Sequence, residues 1–493
     1  MPIRTATARW VLLLCFAAGV AGAAVTQDLQ LRRESPIASY SRRGTSFTAR
    51  VYGPAGSYSM PLLPAGTLVR GVVRRANSIG LGLRRERAGL TLEFEGCELP
   101  GGERADCDVR LLAVDNARET VHKGNRISGI LAASHPPRFL SGLWYRPAVP
   151  VFLRPISGLA GAGGMISKHV IPGPVGAAIF ITTRLLFFRI PDPEIELPAG
   201  TDLIARVSRE DGTAPESSPA PLVPAGPWAD GLAEWLGEVP REIARPDRTP
   251  MADKINMVFV AGEAELESAF AAAGWSGADV ISKKTFTKTY SAFVGMKAYP
   301  RAPVSMLHYQ GRPPDAVFQK SFNTLAQRHH IRLWKAERPD GGGMVWLGAA
   351  THDIGMAFDW NRMNLTHRID PNIDRERAKV INDLSAVDCL GGTTLLPRTA
   401  ELRRRPRGEN AISDGAMWLG QLQACQADPA VPLVLSKLKR SPIALAVRRV
   451  ILESKYYCMR ANAYHFAYES VRWAFFGRKA TRKNQEYAMA LKK

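Results

Sequence analysis

The sequence predicts a multidomain α+β protein. Its N-terminal domain is expected to be an all-β barrel or sandwich, and its C-terminal domain a layered α+β domain that ends in a long helix. The chain of 493 residues is long enough for two or three domains. Short runs in which apolar and polar residues alternate dominate residues 45–131, as in half-buried strands. From residue 253 onwards, strand-like and helix-like segments follow one another in mixed order, which favours an α+β layer arrangement.

The first 24 residues have the pattern of a secretory signal peptide. Arg4 and Arg9 precede the apolar run 11–20, and the small residues 21–23 form a cleavage site. The apolar run is shorter than the ~20 residues that cross a bilayer, so we expect cleavage rather than a retained anchor. The sequence therefore predicts export to the periplasm or cell envelope, with no transmembrane helix after cleavage.

The cysteines fit an exported protein. Cys15 lies in the signal, and the bulky Leu14 before it argues against a lipoprotein cysteine. Cys97 and Cys107 flank a turn signal at 99–102 between two strand-like runs, which predicts a hairpin disulfide. The other three could pair in more than one way or remain buried thiols. They are Cys389, Cys425 and Cys458.

A repeated turn indicates that residues 35–207 form one β-rich module. The word Leu-Pro-Ala-Gly-Thr occurs at 63–67 and again at 197–201, each time before a strand-like run. Glycine in this word supplies the backbone angles of a tight turn. The word resembles the strand entries of β-rich modules in bacterial envelope proteins, including outer components of secretion channels.

The rest of the chain divides into a linker, a second domain and a basic extension. Residues 208–252 are rich in Pro and Ser around a short helical piece near Trp228, which predicts a linker. The mixed domain is expected at 253–400. Its predicted elements are strands at 257–260, 329–334 and 345–350 and helices at 263–273, 284–293 and 371–384.

The extension 401–493 is strongly basic. The chain carries a net charge of +20, and residues 437–493 contribute fourteen Lys or Arg against three Glu. A long amphipathic helix is expected between Ser441 and Gly477. Such a surface could bind anionic lipid headgroups, or it could be a solvated helix that packs on the preceding domain. Nucleic acid is not expected as a partner of an exported protein.

Short histidine-containing segments between residues 328 and 374 contain the residues of the candidate site. Four of the nine histidines of the chain fall in this stretch. If the strands pair, His330 and His352 would converge, with His367 at the sheet edge, and could ligate zinc or another divalent metal. Asp353 and Asp370 are the candidate catalytic bases. The alternative is that each histidine bonds to a neighbouring Asp or to the backbone.

The words at 328–334, 345–353, 366–371 and 374–377 resemble the LssY C-terminal domain family over residues from about 255 to about 393. The family is bacterial and associated with the cell envelope, and some members carry it beside a membrane lipid-phosphatase domain. No reaction is established for the domain. The resemblance therefore implies a fold and a compartment, but neither a cofactor nor catalytic residues.

Three functions are compatible with these features. The first is an exported envelope protein that binds or assembles with other envelope proteins, with a ligand-binding face that includes Arg328, His329, Arg332 and Trp334. The second is a metal-dependent hydrolase of an anionic envelope substrate. The third is a peripheral membrane tether through residues 437–493. The chain has no Gly-x-Ser-x-Gly word, which argues against a nucleophilic hydrolase.

Overall fold

The computed structural model describes most of both predicted domains. The structure describes residues 25–56, 61–131, 192–209, 228–243, 253–280, 298–305, 307–338, 343–359, 364–396, 413–425 and 441–455. It also describes position 341 and a few positions between 282 and 292. The predicted signal peptide, most of the predicted helix at 284–293 and residues 456–493 of the basic extension lie outside the described residues.

The N-terminal part is a nine-stranded, nearly closed, barrel-like sheet, as the sequence predicted. Its strands are β1 (Val25–Arg33), β3 (Ser46–Pro54), β4 (Leu68–Asn77), β5 (Arg87–Glu98), β6 (Arg104–Ala105), β7 (Asp108–Val114), β8 (Thr120–His122), β9 (Arg126–Leu131) and β11 (Asp202–Arg209). They are ordered β7-β11-β1-β3-β4-β5-β9-β8, with β6 beside β5. Strands β2 (Ile37–Ala38) and β10 (Glu196–Leu197) form a separate pair.

The two Leu-Pro-Ala-Gly-Thr words fold into equivalent turns. Gly66 and Gly200 have φ angles of 91° and 84°, which glycine tolerates without strain. In each turn the threonine hydroxyl donates to the proline carbonyl, at 2.7 Å for Thr67 and 2.8 Å for Thr201. The turns lead into β4 and β11 of the same sheet. Both copies of the repeated word therefore enter strands of one sheet.

Each half of the chain contains one disulfide among its described residues. Cys97 at the end of β5 is bonded to Cys107, which confirms the predicted hairpin bridge. Cys389 is bonded to Cys425, a pairing that the sequence left open. This second bridge fastens the strand pair β20 (Leu390–Leu396) and β21 (Met417–Leu422) near its outer end.

The C-terminal part is built on an eight-stranded mixed sheet. Its strands are β14 (Met257–Val260), β15 (Ser276–Gly277), β16 (Ala316–Lys320), β17 (Arg328–Glu337), β18 (Met344–Asp359), β19 (Asn364–Ile369), β20 and β21. They are ordered β15-β16-β17-β18-β14-β21-β20, with β19 beside β18, and β14 runs parallel to β21. A short pair, β12 (Glu242–Ile243) and β13 (Asp253–Lys254), precedes it.

Helices lie against both faces of this sheet. Helix α2 (Glu263–Ala272) and helix α3 (Ile373–Ser385) share one apolar core with the sheet, and helix α1 (Trp228–Glu238) shares another. Leu232 and Leu236 of α1 are buried in the second core. The helix near Trp228 therefore packs on the C-terminal sheet, because its apolar side is covered there, and is not a free part of a linker.

Within the predicted extension 401–493, the structure describes residues 413–425, which add β21 to the C-terminal sheet, and the helix α4 (Pro442–Lys455). The Ser441 hydroxyl accepts from the Ala444 amide at 3.4 Å, which places Ser441 as the expected cap. Arg448 of α4 bonds to Asp192 at 2.7 Å, so the helix rests on the N-terminal part. Among the residues that the structure describes, no helix has the length and apolar composition needed to cross a membrane.

Candidate functional site at the domain junction

The register of β17 against β18 decides which histidines meet. The strands are antiparallel, with His329 opposite His352 and His330 opposite Thr351. Because residues alternate between the two faces of a sheet, His329 and His352 lie on one face and His330 lies on the other. The predicted convergence of His330 with His352 is therefore wrong. A shift of one residue in register is enough to exchange the faces.

The His329 ring is held between carboxylates of both domains. Its Nδ1 lies 2.6 Å from Oε2 of Glu376 on α3, and its Nε2 lies 2.9 Å from Oδ2 of Asp115, which follows β7 in the N-terminal part. Both ring nitrogens therefore face acceptors, which requires protons on both. Burial would lower the pKa of His329, but Asp115 and Glu376 outweigh burial and raise it to about 10.

The second imidazole of this face belongs to His352. Its ring stacks on that of His329 with centroids 4.2 Å apart, and its Nε2 donates to Oδ1 of Asn116 at 2.9 Å. Burial and the neighbouring His329 cation lower the pKa of His352, so this ring is neutral. Asn116 has a φ of 50° and also donates to the Lys320 carbonyl at 3.1 Å, which fixes its side chain over His352.

The opposite face of the sheet carries a second polar cluster around Asp353. Oδ2 of Asp353 accepts from Arg328 Nε at 3.0 Å and lies 3.1 Å from Nδ1 of His367 and 3.6 Å from Nδ1 of His330. Burial opposes ionisation of Asp353, but His367, His330 and Arg328 keep its pKa below the usual range. The His330 Nε2 faces the Thr351 hydroxyl at 2.8 Å. His330 and His367 thus share a carboxylate with each other but not with His352.

The residues expected to form a ligand-binding face are buried and engaged inside the protein. Arg328 bonds to Asp353 as above, Arg332 donates to Asp253 at 3.0 Å, and the Trp334 indole donates to the Arg312 carbonyl at 3.1 Å. Their exposed fractions are 3 %, 2 % and 0 %. These three side chains do not form an open surface, and His329, at 4 % exposed, belongs to the junction instead.

Asp370 lies in the turn before α3. Its carboxylate accepts from the Asn372 amide at 2.9 Å, and the Asn372 side chain accepts from the Asp374 amide at 3.1 Å. The helix therefore begins at Ile373, two residues later than the sequence suggested, with Asn372 as its cap. Asp370 orders this turn and stands apart from the contacts of His329.

Beside His329, buried charges join the two domains. Arg32 on β1 bonds to Asp202 at 2.6 Å and to Asp383 of α3 at 3.0 Å. Lys379 of α3 bonds to Asp202 at 2.7 Å and to Asp383 at 3.0 Å. Lys320 reaches Asp383 at 2.9 Å. We call these side chains, with those around His329, the junction network: Arg32, Asp115, Asp202, Lys320, His329, Glu376, Lys379 and Asp383.

The junction network is balanced in charge. It contains four cations, Arg32, Lys320, Lys379 and protonated His329, and four carboxylates. Buried charges cost desolvation energy that only close partners repay. The outward-facing Gln30 and Arg32 of β1 are buried because α3 covers them, so residues 29–33 of this strand are buried on both faces. The two domains therefore share one polar interior at this place.

Sequence reasoning missed the junction partners Asp115, Asn116 and Glu376. One local signal was available: Glu376, Lys379 and Asp383 recur at i, i+3 and i+7, which places them on one helix face. That pattern is usually read as a solvated face. Asp115 carries no such signal, because its partner His329 lies 214 positions away.

A close backbone approach at the junction gives a first prediction. A Cβ added to Gly53 of β3 would overlap Oδ1 of Asn382 on α3 and lie 2.8 Å from its Cγ. The Asn382 side chain is fixed by the Pro54 carbonyl at 2.9 Å. We expect Gly53→Ala to lower the free energy of unfolding by about 1–3 kcal/mol, measured by urea denaturation.

A matched glycine provides the control for that prediction. A Cβ at Gly56 would meet nothing within 4 Å, so Gly56→Ala should change stability by less than about 1 kcal/mol. Combining Gly53→Ala with Asn382→Ala removes the overlap. The double variant should therefore lose less free energy of unfolding than the sum of the losses in the two single variants. Additive losses would show that β3 and α3 are not in contact.

The comparison with protein families identifies the C-terminal part. Residues 236–417 match the family model described as LssY C-terminus. This confirms the resemblance seen in the sequence and extends it at both ends, from α1 to the start of β21. A comparison of the chain with curated proteins finds no match. Asp115 and Asn116 lie outside the matched segment, so the junction combines LssY-type residues with residues of the barrel-like sheet.

Proposed function

We propose that the protein is an exported component of the bacterial cell envelope in which the two domains act together as one binding module. The observation that carries this proposal is the junction, where Asp115 and Asn116 of the first domain reach the imidazoles of His329 and His352. Neutral apolar packing would join two domains at lower desolvation cost than a buried charge network. The buried charges at the junction are therefore better explained by the binding of a ligand than by a role in joining the two domains alone.

Two further features support export. Cysteines that are paired in both halves suit an oxidising compartment, and the LssY-like segment belongs to a family associated with the envelope. Expression of the full chain in bacteria, followed by fractionation and mass spectrometry of the cysteines, tests this part. We expect a periplasmic or envelope-bound protein that lacks residues 1–23 and has both pairs oxidised. A cytosolic protein with reduced cysteines would contradict export.

The surface of α4 favours membrane association as a second function. Ile443, Val447 and Val450 recur at i, i+4 and i+7, and their exposed fractions are 74 %, 42 % and 45 %. The chain from residue 437 onwards has fourteen Lys or Arg against three Glu. An apolar stripe on a basic segment suits the interface of an anionic bilayer, where both burial and charge favour binding.

This second function predicts weaker vesicle binding when the stripe is made polar. The double variant Ile443→Ser and Val447→Ser should co-sediment with phosphatidylglycerol vesicles about tenfold less tightly than the unchanged protein, because two aliphatic side chains are lost from the bilayer interface. The control is Val280→Ser, which removes an apolar side chain that is 85 % exposed elsewhere on the protein. Equal binding by all three proteins would rule out the tether.

A further inference from the structure

Three potential metal ligands from three segments meet at the junction. Asp115, His329 and His352 each offer one ligand atom, and these atoms lie within 4.8 Å of one another. They come from the turn after β7, from β17 and from β18. Two imidazoles and one carboxylate are the donor set of zinc sites with an open position and of non-haem iron sites.

The surroundings of His329 match those of a metal-bound histidine. Its Nδ1 faces Glu376 at 2.6 Å, on the side of the ring opposite to Asp115. Histidine ligands commonly donate their second ring N–H to a carboxylate, which fixes the tautomer and the direction of the ligating nitrogen. Glu376 occupies this position, and its carboxylate would keep the Nε2 lone pair of His329 directed at the ion.

The charge at this place also suits a dication. With His329 neutral, Asp115 and Glu376 together supply two negative charges. Lys379 lies 3.8 Å from Asp115 but is already paired with Asp202 at 2.7 Å and with Asp383 at 3.0 Å. With His329 neutral the junction network has three cations and four carboxylates, so a dication would bring its net charge to +1, with Asp115 and Glu376 as the carboxylates that offset the ion directly.

We propose that Asp115, His329 and His352 bind one divalent transition-metal ion, such as Zn²⁺, with Glu376 as the positioning residue of His329. Asp115 and His352 are partly buried, whereas His329 between them is buried. The Asn116 side-chain oxygen, now 2.9 Å from His352 Nε2, is available as a further oxygen ligand. Because Asp115 belongs to the barrel-like sheet, the ion would bridge the two domains.

This inference rests on the proposed function in that it names the ligand of the binding module. The test uses the full mature chain, stripped of metal with a chelator and titrated with Zn²⁺ alone by calorimetry. We expect one ion per chain. His352→Gln and Asp115→Asn should each weaken binding by about 100-fold or more, and Glu376→Gln by about 10–100-fold. His367→Gln, in the Asp353 cluster, is the matched control and should bind as the unchanged protein does.

A second readout needs no variant. Saturating Zn²⁺ should raise the Tm of the unchanged protein, because an ion that binds the folded state alone stabilises it. The proposed site would be overturned if Zn²⁺ binding were not saturable, if the Tm did not change, or if His352→Gln and Asp115→Asn bound Zn²⁺ as tightly as the unchanged protein. A loss of Zn²⁺ binding in His367→Gln would also overturn it. An exported protein that binds no Zn²⁺ would remove this inference alone, whereas a cytosolic protein that binds one ion would remove only the export.

Discussion

Replacing Asp383 with alanine is expected to lower the free energy of unfolding by about 3–5 kcal/mol, because it leaves buried cations without their partner. The Asp383 carboxylate bonds to Arg32 at 3.0 Å, Lys379 at 3.0 Å and Lys320 at 2.9 Å. It also accepts from the Trp275 indole at 3.0 Å. The side chains of these three cations are only 1 %, 5 % and 10 % exposed, so water replaces the lost oxygen atoms poorly.

An exposed aspartate provides the control for this loss. Asp28 pairs with Arg206 at 2.7 Å, and their side chains are 30 % and 46 % exposed. Asp28→Ala should therefore cost less than about 1 kcal/mol. Urea denaturation of both variants gives the comparison, and Asp383→Asn, which keeps the shape, should lie between them. If Asp383→Ala lowered the free energy of unfolding by no more than Asp28→Ala does, the junction would be hydrated.

Low pH should weaken the ion pairs that the Asp383 carboxylate makes with its neighbouring cations. Burial would raise the pKa of Asp383, but Lys320, Lys379 and Arg32 outweigh burial and lower it from 3.8 to about 2. A carboxyl group whose pKa is lower in the folded than in the unfolded state stabilises the fold above its unfolded pKa. That stabilisation is lost as the pH falls through the folded pKa. Asp383 should therefore contribute about 2 kcal/mol near neutral pH that disappears between about pH 4 and pH 2.

The acid effect is measured as a difference between two proteins. The unchanged protein and Asp383→Asn are unfolded with urea at several pH values between 5 and 2, at constant ionic strength. The stability advantage of the unchanged protein should narrow by about 2 kcal/mol over the acid range, since only that protein titrates at position 383. A constant difference would mean that the carboxylate has an ordinary pKa and hence no close cations.

Local features of the fold were predictable, whereas long-range ones were not. The turns at Gly66 and Gly200 and the bridge between Cys97 and Cys107 depend on neighbouring residues, so their patterns are visible in the sequence. Strand β14 agrees with the predicted range, and α3 differs from it by two residues at its start. Both are set by local periodicity and capping.

The candidate site was only half predictable, because its geometry depends on register and on a partner domain. The stretch that contains His329 and His352 was identified, but alternation along a strand cannot say which residues of two strands face each other. The pairing of His329 with His352 is fixed by the antiparallel register of β17 and β18. Asp115 reaches His329 from 214 positions away, and residue spacing carries no information over that distance.

The most direct test of the account is a double-mutant cycle across the junction between Asp202 of β11 and Lys379 of α3, whose charged atoms lie 2.7 Å apart. Urea denaturation of Asp202→Ala, Lys379→Ala and the double variant gives the coupling energy. If the two domains share a buried charge network, the coupling should be about 1–3 kcal/mol in favour of the pair. A coupling near zero, with the two losses simply adding, would contradict the shared polar interior on which the proposed binding module depends.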